Sequence, residues 1–142
     1  MKKLLMGIVA ATLVLSASAG EWLTDVPQAQ AQAKKDNKLV LMDFTGSDWC
    51  PWCIKLRNEV FDTQEFKTYA DKNLVLVEVD FPRKKAQSAE LKKANAALER
   101  KYGIQGYPTV IVLNGEGKKV GELGYQPGGP KPFIAALNKL KK

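Results

Sequence analysis

Cys50 and Cys53 are the only cysteines of this 142-residue chain, and they stand together in Trp49-Cys50-Pro51-Trp52-Cys53. Cysteines at i and i+3 on the first turn of a helix lie on one face about a turn apart, so their sulfurs can join in a disulfide. The thiolate is the reactive form, and the free N–H groups and partial positive charge of a helix start favour it. Cys50, nearer the start, is the candidate nucleophile. Cys53, one turn deeper, is the candidate resolving thiol, which attacks a mixed disulfide and releases the substrate.

A lone C-x-x-C is also half of a zinc site, and zinc normally takes four ligands. The chain has no histidine and no third cysteine, which disfavours zinc within one chain; ligation between two copies, or soft-metal transfer by two thiolates, stays open. A structural staple is a weak reading too, because a bridge closing so short a loop restrains the unfolded chain little. A disulfide scaffold would spread several cysteines along the chain. Redox chemistry is favoured, with the Cys50–Cys53 disulfide as the reactive group and neither cofactor nor metal beside it.

The elements that must position this pair follow from pattern. Trp22 to Asn37 reads as a first helix, capped by Asp25 with Pro27 in its first turn. Leu39 to Phe44 is a nearly continuous apolar run of strand length, as in a strand buried on both faces. After Thr45-Gly46-Ser47, Asp48 or a neighbour caps the helix that carries the cysteines, Leu56 and Val60. The helix is expected to break near Phe61, where Asp62 and Glu65 have the spacing of a capping box and Phe61 can staple to Phe66.

Leu74 to Val79 reads as a second buried strand, and Ser88 to Tyr102 as an amphipathic helix presenting Leu91, Ala94, Leu98 and Tyr102, stopped by Gly103. Thr109 to Leu113 and Lys118 to Leu123 form a hairpin around Asn114-Gly115-Glu116-Gly117. A helix over Pro132 to Leu140 closes the chain. A βαβ crossover followed by an antiparallel hairpin implies an α/β sandwich: a four-stranded mixed sheet with helices on both faces.

Ahead of this domain, Met1-Lys2-Lys3, an apolar stretch from Leu4 to Leu15 and Ala17-Ser18-Ala19 make a secretory signal peptide over residues 1–19. The stretch is short of the roughly 20 residues needed to cross a bilayer. Residues 20–142 are then one mature domain, periplasmic or secreted and not membrane-spanning. The formal charge of +7 falls to +5 without Lys2 and Lys3. It gathers locally at Arg83-Lys84-Lys85 and Lys139 to Lys142, with no interleaved aromatic pattern, and export argues against a nucleic-acid partner.

A buried strand ending in Asp43-Phe44, then Trp49-Cys50-Pro51-Trp52-Cys53, then Gly106-Tyr107-Pro108-Thr109 before a hairpin, resembles the thioredoxin superfamily over Trp22 to Leu140. The Thr45 to Trp49 approach and the Gly124 to Pro130 segment further resemble exported bacterial thioredoxin-like proteins. The resemblance implies a thioredoxin-like three-layer sandwich and exchange with protein thiols and disulfides, by a monomer served by a membrane or soluble redox partner. It implies that Asp43 lies beneath Cys53 and accepts its proton, although the approach to Trp49 is one residue longer than usual. A buried carboxylate has a raised pKa, which suits that task.

The resemblance also implies that Pro108 is a cis-proline facing the dithiol, presenting the Tyr107 backbone to an extended substrate segment. Gly106 and Tyr107 would shape that groove, with Trp49, Pro51 and Trp52 as an apolar landing surface. Pro51-Trp52 departs from the Gly-Pro pair of thioredoxins and resembles the Pro-aromatic pair of glutaredoxins. With no histidine between the cysteines, no helical insertion and no dimerisation domain, a reductase or electron carrier is preferred to an oxidase or isomerase. A binding module that uses the groove alone is the reading from another class.

Overall fold

The computed structural model describes residues 20–141; the expected signal peptide over residues 1–19 lies outside the described residues. Five strands form one mixed sheet: β1 (Trp22–Leu23), β2 (Leu39–Thr45), β3 (Leu74–Asp80), β4 (Thr109–Leu113) and β5 (Lys119–Leu123), in the order β1-β3-β2-β4-β5. β3 runs parallel to β1 and β2, while β4 is antiparallel to β2 and β5. The helices are α1 (Val26–Asp36), α2 (Pro51–Leu56), α3 (Gln64–Asn73), α4 (Ala89–Tyr102) and α5 (Pro130–Asn138).

The four-stranded expectation is corrected by one strand. Trp22 and Leu23 do not start the first helix; they pair with Leu76 and Val77 on the edge of β3. The Asp25 carboxylate then accepts from Gln28 N at 2.9 Å, so the helix opens at Val26. Two-residue strands carry too little alternation to be distinguished from a helix entry.

Side chains alternate across β2. Val40, Met42 and Phe44 pack with Ala29, Ala33 and Ile111 beneath α1 and α4, whereas Leu41 joins Leu56, Val60, Phe61, Phe66, Phe133 and Leu137 beneath α2, α3 and α5. Four phenylalanines, Phe44, Phe61, Phe66 and Phe133, are fully buried, and burying each stabilises the fold by roughly 1.5–3 kcal/mol. Asp43 and Thr45 share the face of Leu41. This parity puts a carboxylate on the side of the sheet that α2 covers.

The helix break is a π-helical turn, Arg57–Phe61, closed by Asp62 N donating to Arg57 O at 2.8 Å. Such turns recur at functional sites. The restart is capped one residue later than its spacing suggests: Thr63 Oγ1 donates to Val60 O and accepts from Phe66 N, so Asp62 is not the cap. Phe61 and Phe66 do meet, with ring centroids 5.0 Å apart. In α4 the fully buried residue is Asn95, while Ala94 is exposed. None of the described helices is long and apolar enough to cross a membrane.

Candidate active site

Cys50 is itself the N-cap of α2, and neither Asp48 nor another neighbour takes that place. Its backbone is extended, its Sγ accepts from Cys53 N at 3.3 Å, and Pro51 fills the first helical position, where an N–H would have no helical partner. Cys50 and Cys53 are joined in a disulfide with their Cα atoms 5.2 Å apart. The cysteines are 5% and 4% exposed, so exposure does not rank them. Their neighbours do. Cys53 Sγ accepts from the buried N–H of Gly46 at 3.5 Å, whereas Cys50 Sγ lies 3.8 Å from the carbonyl oxygen of Tyr107, a half-buried residue.

The Tyr107–Pro108 peptide bond is cis. Tyr107 is fixed by its ring, stacked on Phe81 at 5.1 Å and edge-on to Trp49 at 6.1 Å, and by its hydroxyl, which donates to Glu99. Burial, and then that carboxylate, push its phenol pKa upward. Gly106 faces open space and its carbonyl accepts from Thr109 Oγ1 at 2.7 Å, so no close approach dictates glycine there. Trp49 is half-buried, its indole N–H donating to Phe81 O at 2.8 Å. It fastens the loop.

Trp52 is 55% exposed and is, with Ile54, one of two large exposed apolar side chains among the described residues. Its ring packs 5.1 Å from Tyr125, whose hydroxyl donates to Glu59 at 2.7 Å, and Lys55 lies over both rings. Tyr125 thus belongs to the same ledge as Trp52.

Beneath lies Asp43, 3% exposed, with no hydrogen-bond partner for its Oδ1. Burial raises its pKa from 3.8 to about 7; Arg57 pulls it down, and Glu78 and Asp80 push it up. The latter two come from β3, in register with Asp43 and Thr45 respectively. Glu78 is ion-paired to Arg57, and Lys85 Nζ stands 3.0 Å from Asp80 and 3.8 Å from Glu78. Asp80 also takes Ser47 N at 3.0 Å and Ser47 Oγ at 2.5 Å.

Sequence reasoning did not single out Arg57, Glu78 or Asp80. A usable signal was there: Glu78 is the one charge inside Leu74-Val75-Leu76-Val77-Glu78-Val79, and a strand buried on both faces must neutralise it. No cluster of three or more metal-ligating side chains is assembled among the described residues.

A family model described as a thioredoxin-like domain matches residues 26–141. Among curated proteins, the chain is 36% identical over 115 residues to the disulfide bond reductase DsbH of Chlamydia pneumoniae, covering 81% of this chain and 69% of that one. It is 32% identical over 103 residues to the thioredoxin-related protein DsbJ of the same organism, covering 72% of this chain and 30% of that one. A solved DsbH oxidoreductase superposes with a TM-score of 0.81 at 32% identity, covering 96% and 94% of the two chains. A disulphide isomerase from Xylella fastidiosa Temecula1 gives 0.63 at 25% identity, covering 80% and 88%. With the Cys50–Cys53 pair seated at the start of a helix on this sheet, the chain belongs to the thioredoxin-like domain family and is a thiol–disulfide oxidoreductase.

Proposed function

We propose that the protein reduces disulfides of other proteins outside the cytoplasm, with Cys50 as nucleophile and Cys53 as resolving thiol. The observation that carries the assignment is the asymmetry of the two sulfurs: Cys50 Sγ faces the Tyr107–Pro108 loop and receives the Cys53 N–H, while Cys53 Sγ faces inward to Gly46. In the reduced protein the Cys50 thiolate attacks one sulfur of a substrate disulfide, forming a mixed disulfide and expelling the first substrate thiolate. Cys53 then gives its proton to Asp43, directly or through water, and attacks Cys50 Sγ. The second substrate thiolate leaves, the Cys50–Cys53 disulfide closes, and two electrons have passed to the substrate.

Asp43 suits the proton step because an acid titrating near neutrality can both take and return a proton. The Tyr107 backbone pairs with an extended substrate segment beside Pro108, and Pro51, Trp52 and Gly106 line its approach. Similarity to a protein named disulfide bond reductase supports this direction of electron flow. Electrons return from a membrane or soluble thiol partner. Residues 1–19 act as a cleaved leader, so the exported monomer begins at Gly20, which sequencing the N-terminus of the exported protein tests.

Insulin reduction by the wild type and Cys50→Ser tests the chemistry: equal rates, or none in either, remove this assignment. Cys53→Ser should accumulate mixed disulfides with natural substrates. A dithiol potential near that of the strong periplasmic oxidants, measured against glutathione, would reverse the direction proposed.

A further inference from the structure

The Arg83-Lys84-Lys85 run is divided by the fold. Lys85 turns inward to Asp80 and Glu78. Arg83 and Lys84 are exposed, and neither forms an ion pair among the described residues. Both are tied to the dithiol loop. The two carboxylate oxygens of Asp48, two residues before Cys50, accept the backbone N–H groups of Arg83, Lys84 and Lys85 at 2.9, 2.8 and 2.8 Å. The Arg83 guanidinium lies 3.6 Å over the Trp49 ring. A clamp of this kind fixes the backbone that carries two surface cations beside the dithiol loop, and the Trp49 ring places the charge of Arg83.

The anions facing them are engaged. Asp48 is held by those three N–H groups, chiefly that of Arg83, which lower its pKa, while Asp80 and Glu78 are matched by Lys85 and Arg57. Across the dithiol, Lys55 on the Trp52 ledge is itself paired with Glu59 at 3.8 Å. The cations of the rim without an ion-pair partner among the described residues are therefore Arg83 and Lys84.

We infer that Arg83 and Lys84 dock an acidic segment of a protein partner, one carrying Asp or Glu about two to four residues from its reacting cysteine. This rests on Cys50 being the sulfur that exchanges. The spacing follows from reach: the guanidinium lies over the indole of Trp49, the residue preceding Cys50, and an extended partner chain advances about 3.3 Å per residue, so two to four residues span about 7–13 Å. A unit charge pair about 6 Å apart in water-like surroundings is worth about a threefold change in association, and salt removes most of it. Reversing Lys84 therefore shifts the preference about ninefold.

The test uses three peptides alike except for Asp, Ser or Lys about three residues from a cysteine that is disulfide-linked to a fluorescent thiol, read as kcat/KM with the mature protein. At low salt the order should be Asp, then Ser, then Lys, and the Asp-to-Ser ratio should collapse at high salt. Lys84→Glu, which leaves Arg83 in place, should bring that ratio down to near one, whereas Lys139→Glu, at the far end of the sheet, should leave it unchanged. Equal turnover of all three peptides overturns the docking rim while the redox reading stands; no Cys50-dependent turnover of any peptide overturns the redox reading first. Equal turnover with Lys84-dependent sedimentation on anionic lipid vesicles would reassign the rim to a membrane surface.

Discussion

Replacing Asp43 by asparagine should make stability less sensitive to pH, and the size of the effect follows from burial. In the folded chain the carboxyl titrates at about 7, against 3.8 without burial. Between those values the folded protein keeps a proton that the unfolded chain has released. Wild-type stability therefore falls as pH rises through this window and levels off above it. A gap of about three pKa units is worth about 4 kcal/mol, a large part of the 5–15 kcal/mol that typically holds a domain together.

The amide in Asp43→Asn has no proton to lose, so its stability relative to wild type should swing by about 4 kcal/mol in its own favour between pH 4 and pH 8. Urea unfolding of both proteins at these two values measures the swing. The oxidised form is used so that no thiol titrates, and acids not coupled to Asp43 cancel in the comparison. Parallel stability curves, agreeing within about 1 kcal/mol, would refute the buried, desolvated state of Asp43 and with it the proton acceptor. Kinetically, the mixed disulfide of the wild type should resolve with a midpoint near pH 7. Asp43→Asn should lose that midpoint and resolve about 100-fold more slowly.

Arg57→Leu should raise that midpoint by about one pH unit or more, because a cation that favours the ionised form is gone, and Glu78→Gln should lower it; NMR titration of Asp43 reads both. Trp52→Ala should raise KM for insulin several-fold while leaving the reaction with glutathione disulfide near wild type, since the exposed ring meets only large substrates. Phe133→Ala should cost about 3–5 kcal/mol in urea unfolding, through loss of its packing on Phe61 and Phe66.

The sheet, its helices and the cysteine pair were legible because each rests on local pattern: the apolar runs of β2 and β3, the Asn114 to Gly117 turn, and Ser88 and Gly103 at the ends of α4. Edge pairing is a different kind of fact. β1 exists because Trp22 and Leu23 meet Leu76 and Val77 across more than fifty intervening positions, and nothing in their own two residues announces it. The same holds for the charges around Asp43. Arg57 reaches Glu78 only because the π-helical turn places it there, and Lys85 reaches Asp80 from the loop after β3.

The longer approach to Trp49 has a structural use. Gly46 lets the indole of Trp49 pack within 2.5 Å of where a Cβ would stand, Ser47 bonds twice to Asp80, and Asp48 clamps the Arg83 to Lys85 backbone. Asp48 and Asp80 thus hold the loop before Cys50 from two sides, and Glu78 holds Arg57. Among the buried carboxylate oxygens described, the one without a partner is Oδ1 of Asp43. Four acids of similar intrinsic strength are separated by environment alone, three to positions where they fix neighbours and one to the place where the proposed mechanism needs a proton to move.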